Sequence, residues 1–295
     1  MTLQTIEADA VTRYGTGLLR TEVRPLAGGL HQWRRTPGPY APAPFVPVPR
    51  TLPVVTGPGA RVVFGAADGV GRTYHLEGEH SVAYLLLTGG PGAVPPQALR
   101  DLGTTLRALH DVPPPASARA HGSRGLDRLD SWLTGRAPAP RAAQAAEQIR
   151  KALGDPAWAT VRGWHQRVVG DTSTVLAHGA AGLGSLIAGS DGSATLLAGE
   201  DLSVLPWYVD IGWIIGELVE LKWQLGGDPV AWQAHIDALC EGYGRDPGAD
   251  WQWLAVLRIM LHVHDIAAYL DEPVDSFHQY ADFLRFLIGL RGAVT

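Results

Sequence analysis

One stretch of the chain, Val175–Trp213, constrains the fold more than any other. Two short apolar runs, Leu186-Ile187 and Thr195–Leu197, are separated by a polar turn that contains Asp191-Gly192. Short apolar runs joined by Asp-Gly are typical of a β-hairpin. A His-Gly pair, His178-Gly179, ends the apolar run that precedes the hairpin. The stretch therefore predicts a strand, a tight loop and a hairpin in close succession.

After the hairpin, Asp210-Ile211-Gly212-Trp213 opens a long apolar segment that predicts a helix. This order resembles the catalytic core of the aminoglycoside phosphotransferase and choline kinase family, the small-molecule branch of the protein-kinase fold. The family pattern is His-Gly-Asp, four residues, Asn, and then a hairpin that ends in Ile-Asp. Leu109–Pro113 is similar to the Leu-His-x-x-Pro helix end that opens the helical lobe in that family. The resemblance implies an α+β, two-lobed kinase-like fold with a small β-rich N-lobe and a larger helical C-lobe.

The resemblance assigns each catalytic role of the family to a position, and those positions are degenerate here. The general base would fall at Ala180, the first metal ligand (usually Asn) at Ser185, and the main metal carboxylate at Ala198. A methyl group neither accepts a proton nor ligates a hard cation, and a serine hydroxyl is a weak ligand. The frame therefore predicts no catalytic residue and no metal site in its ordinary form.

The cation that would bind the phosphates is also missing from its expected place. In the family a lysine sits on a central strand of the small lobe, but the only lysines here are Lys151 and Lys222. Arg61 or Arg72 could supply positive charge instead. A guanidinium does not reproduce the geometry of an ammonium, so neither residue is a simple replacement.

Four polar residues of the stretch remain as candidates for other roles. The resemblance implies that His178 and Asp210 are structural anchors of the loop. Glu200 and Asp201, which follow the vacant position Ala198 closely, are possible rescue acids for a metal. Their alternative reading is a solvated loop pair or a helix cap.

Other candidate binding groups are less specific. Trp207, Tyr208 and Trp213 lie near the expected cleft and can stack on a ligand or simply pack. His262 and His264 are two positions apart on a predicted helix, a spacing that points them to different faces and disfavours a shared metal.

The chain divides into two predicted parts. Residues 1–87 form the β-rich N-lobe, and residues 88–295 form the helical C-lobe that contains the degenerate loop 175–213. The proline-rich segment 37–49 is extended, either laid on the domain surface or serving as a docking strip for a partner. The predicted strands are Leu52–Val55, Arg61–Ala66, Arg72–Leu76 and Val82–Leu87. The main predicted helices are Pro95–His110, Arg141–Leu153, Trp158–Val169, Asp210–Leu225, Pro229–Tyr243, Ala249–Leu270 and Asp275–Leu290.

Composition excludes several classes of partner and compartment. The net charge is −5, with no strongly basic field, so nucleic acid is not expected as a partner. The single cysteine, Cys240, excludes an intramolecular disulfide and fits a reducing cytoplasm. Met1–Arg20 lacks the pattern of a secretory signal, and the longest apolar stretch, Ile211–Leu225, carries charges. We therefore expect a cytoplasmic protein that does not bind membranes.

In function, the resemblance implies a pseudokinase, a protein that keeps the kinase fold as a binding surface and has lost transfer. Related bacterial pathways for thioamitide and lanthipeptide-type peptides pair kinase-like proteins with a separate lyase, and together these dehydrate Ser and Thr. The implied partners are a precursor peptide and/or a partner lyase or kinase, with no cofactor. The alternative is an active, atypical phosphotransferase that acts on a small molecule or peptide with ATP and Mg²⁺, using Glu200, Asp201 and an arginine.

Overall fold

A computed structural model describes residues 11–48, 52–115, 118–120, 122–270 and 277–290. The small lobe is built on an antiparallel sheet whose central strand is β3. Its strands, in spatial order, are β1 (Thr12–Gly15), β2 (Leu19–Pro25), β3 (Leu30–Pro37), β7 (Gly71–Glu77) and β6 (Ala66–Asp68). Trp33 and Tyr74 are directly opposite each other on β3 and β7, and both are fully buried. This aromatic pair anchors the inner face of the sheet.

The predicted hairpin is present and is joined to a strand from the small-lobe half of the sequence. It consists of β10 (Leu186–Ala188) and β11 (Ala194–Leu197), paired antiparallel. Strand β11 also pairs in parallel with β5 (Ala60–Val63), which in turn pairs with β4 (Val55–Thr56). A third sheet has the order β8 (Arg119–Ala120), β12 (Ser203–Pro206) and β9 (Thr174–Ala177), so β9 and β12 flank the hairpin in sequence.

Helices form most of the rest of the chain and bury two large apolar clusters. The helices are α1 (Val82–Gly89), α2 (Pro96–His110), α3 (Arg124–Leu133), α4 (Pro140–Leu153), α5 (Asp155–Gly170), α6 (Tyr208–Leu225), α7 (Pro229–Tyr243), α8 (Trp251–Tyr269) and α9 (His278–Leu290). Helices α6 and α8 pack together at the centre, and most of their side chains are buried. No helix in the described part of the chain is long and apolar enough to span a membrane.

The prediction of a strand over Val82–Leu87 is wrong, because this segment is helix α1. Ser81 caps the helix, its hydroxyl accepting a hydrogen bond of 3.2 Å from the backbone N–H of Tyr84. Val82 and Leu86, one helical turn apart, are fully buried. An uninterrupted apolar run does not distinguish helix from strand by periodicity, and the serine cap was the deciding signal.

The proline-rich segment is held by main-chain hydrogen bonds to both parts of the molecule over its described residues, 37–48. The N–H of Val46 donates to the carbonyl of Glu200, and the carbonyl of Val46 accepts from Arg72 at 2.9 Å. The carbonyl of Ala43 accepts from Arg124 on α3 at 3.0 Å. These bonds occupy polar groups of the segment's backbone, as expected for an extended chain laid on the domain surface.

Candidate functional site

A cavity of about 450 Å³ lies between the β1–β2 hairpin and the helical lobe. Its walls are the hairpin (residues 14–21), Arg35 of β3, the loop from His178 to Ser185, Glu200 and Asp201, and one face each of α6 and α8. The volume lies in the range of small-molecule sites in proteins. The loop singled out in the sequence therefore lines a cleft.

Asp210 holds the first part of this loop. Its carboxylate accepts the backbone N–H groups of His178 at 2.7 Å and Gly179 at 3.1 Å, and it contacts Nε2 of His110 at 3.1 Å. Because a carboxylate only accepts, Nε2 of His110 donates to it, and Nδ1 of His110 then accepts from the hydroxyl of Tyr243. Burial alone would raise the pKa of Asp210, but the hydrogen bonds from His110 and from the N–H of His178 lower it below its usual value.

Both ring nitrogens of His178 are used within the loop. Nε2 donates to the carbonyl of Leu197 at 2.8 Å, and Nδ1 accepts from the N–H of Ala180 at 3.3 Å. The side chain is buried. A histidine whose two nitrogens are both engaged is not free to take a proton from a ligand, so these contacts define a brace rather than a base.

The three degenerate positions present little chemistry to the cleft. Ala180 is exposed and offers only a methyl group. Ala198 is buried, and its carbonyl oxygen lies 3.2 Å from the hydroxyl oxygen of Tyr74. The hydroxyl of Ser185 accepts a hydrogen bond of 3.0 Å from Arg35. These positions therefore do not fit a magnesium ion.

Arg35, which was not predicted as a site residue, is the cation that contacts Ser185 and Glu200. Two further arginines of the cleft wall, Arg128 and Arg258, pair instead with Asp265 and Glu220. Arg35 lies on the central strand β3 and is only 4% exposed. Its guanidinium donates to Oγ of Ser185 at 3.0 Å, to Oε1 of Glu200 at 3.3 Å and to the carbonyl of Gly184 at 2.7 Å. Burial alone would lower the pKa of Arg35, but the charge of Glu200 raises it above its usual value, so the group stays charged.

Tyr74 completes the contacts of Glu200. Its hydroxyl donates to Oε1 of Glu200 at 2.9 Å. Burial first, and then the negative charge of Glu200, raise the pKa of Tyr74 well above its usual value, so the phenol remains a donor. Glu200 is therefore engaged by an arginine and a tyrosine of the small lobe.

The alternative cations proposed from sequence do not line the cleft. Arg72 donates to the carbonyls of Phe64, Gly65 and Val46. The Nε of Arg61 lies 3.5 Å from the hydroxyl of Thr195 on the second sheet. Neither residue belongs to the cavity wall.

The two rescue acids are not a solvated loop pair. Asp201 is 5% exposed and accepts the backbone N–H of Arg124 at 3.1 Å. Burial, only partly offset by Arg124, raises the pKa of Asp201 to about 6. Glu200 is largely buried and bound as described above. In the described part of the chain, no group of three or more His, Cys, Asp or Glu side chains is arranged to hold a metal ion.

Of the three aromatic residues expected near the cleft, only Trp213 lines it. Trp207 stacks on Tyr243, with ring centroids 5.3 Å apart and an interplanar angle of 11°. Tyr208 donates its hydroxyl to Asp171 at 2.8 Å. The placement of Trp207 and Tyr208 at the cleft is therefore corrected. They lie at the start of α6, where sequence position does not reveal which way a side chain turns.

The α8 wall of the cleft carries a histidine–carboxylate pair that the sequence analysis passed over. Nδ1 of His262 donates to Oε1 of Glu220 at 2.5 Å, and the hydroxyl of Tyr280 donates to the same oxygen at 2.8 Å. Glu220 is buried, whereas the His262 side chain is 36% exposed and lines the cavity. With Nδ1 as donor, Nε2 of neutral His262 is a proton acceptor. His262 and Glu220 are 42 residues apart on different helices, so no local sequence pattern connects them.

Comparison with known proteins identifies the fold. No family model matches the sequence, and no curated protein matches it. Among solved structures, a spectinomycin phosphotransferase in complex with ADP and spectinomycin aligns with a TM-score of 0.51 and 12% identity, covering 96% of this chain and 93% of that one. Choline kinase from Cryptosporidium parvum Iowa II aligns with a TM-score of 0.51 and 10% identity, covering 99% of this chain and 91% of that one. Choline kinase LicA from Streptococcus pneumoniae aligns with a TM-score of 0.51 and 10% identity, covering 95% of this chain and 94% of that one. The chain is similar to these proteins in fold, the two-lobed kinase-like fold of small-molecule phosphotransferases.

Proposed function

We propose that this protein is a pseudokinase, a kinase-fold protein that binds a peptide or a partner enzyme and does not transfer phosphate. The observation that carries the proposal is the position of the Arg35 guanidinium between Ser185 and Glu200. The proposal is further supported by the kinase-like fold and by the chemistry of the residues in the cleft.

Phosphoryl transfer depends on divalent cations that neutralise charge on the phosphates. Three other acids of the cleft wall, Asp201, Glu217 and Asp265, accept hydrogen bonds from the N–H of Arg124, the N–H of Leu183 and the side chain of Arg128, respectively. The oxygen donors at or next to the vacant metal positions are the hydroxyl of Ser185 and the carboxylate of Glu200. Both bind a fixed, singly charged guanidinium. A metal–nucleotide complex would have to displace Arg35 and leave a buried positive charge without its partner, which costs several kcal/mol.

The second candidate is an active, atypical phosphotransferase, and the position of Arg35 in the small lobe favours it. Arg35 lies on the central strand of the small lobe, where the family resemblance places the phosphate-binding lysine. In this candidate Arg35 releases Glu200 when ATP and Mg²⁺ bind, and His262 supplies the base that is missing at Ala180.

We further propose that the binding partner is a precursor peptide, a lyase or a kinase in a bacterial pathway that dehydrates Ser and Thr of a ribosomal peptide. This assignment comes from the family resemblance. The compartment in this proposal is the cytoplasm, and neither nucleic acid nor a membrane takes part.

The deciding experiment is a titration of the protein with ATP and Mg²⁺, followed by calorimetry and thermal unfolding. A ligand at one hundred times its Kd stabilises a protein by about 2.7 kcal/mol, a shift that is easily seen. We expect no magnesium-dependent shift for the wild type. Tight, magnesium-dependent nucleotide binding would overturn the first proposal and support the second.

A variant that restores the two missing carboxylates tests whether their absence alone prevents phosphoryl transfer. Ala180→Asp with Ala198→Asp restores the two carboxylates but keeps Arg35 in place, so we expect no ATP turnover. Robust kinase activity from this double variant would show that Arg35 does not block the site.

A further inference from the structure

A second groove, of about 720 Å³, lies on the outer side of the β1–β2 hairpin. It is formed by β1, β2 and β3, by Pro39 and Tyr40, and by Tyr269 and Leu270 at the end of α8. Its charged wall residues are Arg13, Arg20, Arg34 and Glu22. A wall with three arginines and one glutamate stands out on a chain whose net charge is −5.

Strand β1 forms one side of this groove and is an edge strand. It is the first strand in the order of its sheet and pairs with β2. All four residues of Thr12–Gly15 are exposed, and no described residue pairs with the outer edge of β1. Such an edge presents main-chain N–H and C=O groups to an incoming strand.

The hairpin that ends β1 is fixed in position. The N–H of Gly17 donates to the carbonyl of Tyr269 at 3.0 Å, and the carbonyl of Gly17 accepts from Tyr40 at 2.9 Å. The carbonyl of Leu18 accepts from Gly38 at 2.8 Å. An edge held from both sides does not have to be ordered when a partner binds, which lowers the entropic cost of binding.

The side chains around this edge are of the kind that dominates protein interfaces. Tyr40 is 71% exposed and Tyr14 is 49% exposed. Arg20 forms no ion pair with any described residue, and Arg13 has a 3.5 Å ion pair with Glu22. Tyrosine and arginine are enriched at binding hot spots. A charged edge also prevents sheet aggregation, which accounts for Arg13 but not for the exposed side chains of Tyr14 and Tyr40 beside Arg20.

We infer that this groove docks an extended, acidic peptide segment, which adds a strand to β1 and places its carboxylates on Arg13 and Arg20. Main-chain hydrogen bonds give such a complex its affinity, and the alternating side chains give it specificity. The inference rests on the proposed peptide-binding role and does not depend on whether the cleft has lost phosphoryl transfer.

The test is fluorescence anisotropy of the full chain with a labelled peptide of about ten residues in which Glu alternates with Val, long enough to cover a strand. We expect binding that weakens about tenfold, or ~1.4 kcal/mol, in the variant Arg13→Glu with Arg20→Glu. The double variant Lys151→Glu with Arg162→Glu makes the same charge change on the exposed surface of α4 and α5, is the matched control, and should leave binding unchanged. A Lys-Val peptide should not bind.

A second peptide separates strand addition from simple charge attraction. N-methylation of alternate residues removes the donors on one edge of the peptide and keeps its charge, and we expect it to abolish binding. Equal binding of the methylated peptide, or of single-stranded DNA in its place, would overturn the inference, as would no binding of the acidic peptide to the wild type. The nucleotide titration reports on the cleft separately, so failure of the groove and failure of the proposed loss of transfer give different results.

Discussion

Two buried aspartates on either side of strand β12, Asp201 and Asp210, have opposite environments. Asp210 accepts two backbone N–H groups and a histidine N–H, and its pKa is lowered. Asp201 accepts one backbone N–H, and burial raises its pKa to about 6. Both are at most 5% exposed, so the number of donors, rather than burial, decides the sign of the shift.

The same contrast holds for the two regions that these residues belong to. The part of the loop around His178 is held by the carboxylate of Asp210, which lies inside the helical lobe and accepts three hydrogen bonds. The segment after Ala198 is held by Arg35 and Tyr74 of the small lobe. The difference shows that the first part of the loop is held by hydrogen bonds to one buried carboxylate within the helical lobe, and the later part by an ion pair between the lobes.

The largest effect should come from Asp210→Ala. This change leaves the N–H groups of His178 and Gly179 buried without acceptors and removes the partner of His110. We expect the free energy of unfolding to fall by about 3–5 kcal/mol, measured by urea denaturation. Asp237→Ala on the exposed face of α7 is the control and should cost about 0.5 kcal/mol or less. Equal losses in the two variants would contradict the comparison.

A double-mutant cycle on Arg35 and Glu200 tests the ion pair between the lobes. Arg35→Met and Glu200→Gln should each cost about 3 kcal/mol, since each leaves a buried polar partner unsatisfied. The double variant should cost less than the sum, with a coupling of about 1–3 kcal/mol. The exposed pair Arg150–Asp155 is the matched cycle, and its coupling should stay below about 1 kcal/mol. Additive losses at Arg35 and Glu200 would show that the pair does not hold the cleft.

A third effect is a pH dependence of stability that belongs to Asp201. Its pKa in the folded state, about 6, lies above the unfolded value of about 3.9, so the folded state binds more protons between pH 4 and 6. The contribution of Asp201 to the free energy of unfolding should therefore fall by about 3 kcal/mol as the pH rises through that range.

Comparing wild type with Asp201→Asn isolates this contribution. The variant keeps a side-chain oxygen for the N–H of Arg124 and does not titrate, so its stability relative to wild type should increase from pH 4 to pH 7. A difference that stays constant with pH would show that Asp201 is not held in a protonation-sensitive site. Asp265, whose pKa is lowered to about 2 by Arg128 and His264 despite its burial, affects stability only at lower pH.

The sequence predicted the helices and the hairpin well because their periodicity and turns are local signals. Helix α7 has the predicted bounds, Pro229–Tyr243. Strands β2 and β3 were not predicted, although Trp33 and Arg35 lie two positions apart and so share a face. That alternation was the available signal for Arg35. Its partners, Ser185 and Glu200, are 150 and 165 residues away in sequence, so no local pattern connects them.

The proline-rich segment also affects how the protein unfolds. Its described residues bond the β1–β2 hairpin, the segment after β11 and helix α3. Strand β11 is itself completed by β5. Each lobe therefore loses some of its backbone partners when the other unfolds, so we expect a single cooperative unfolding transition in which the two lobes melt together.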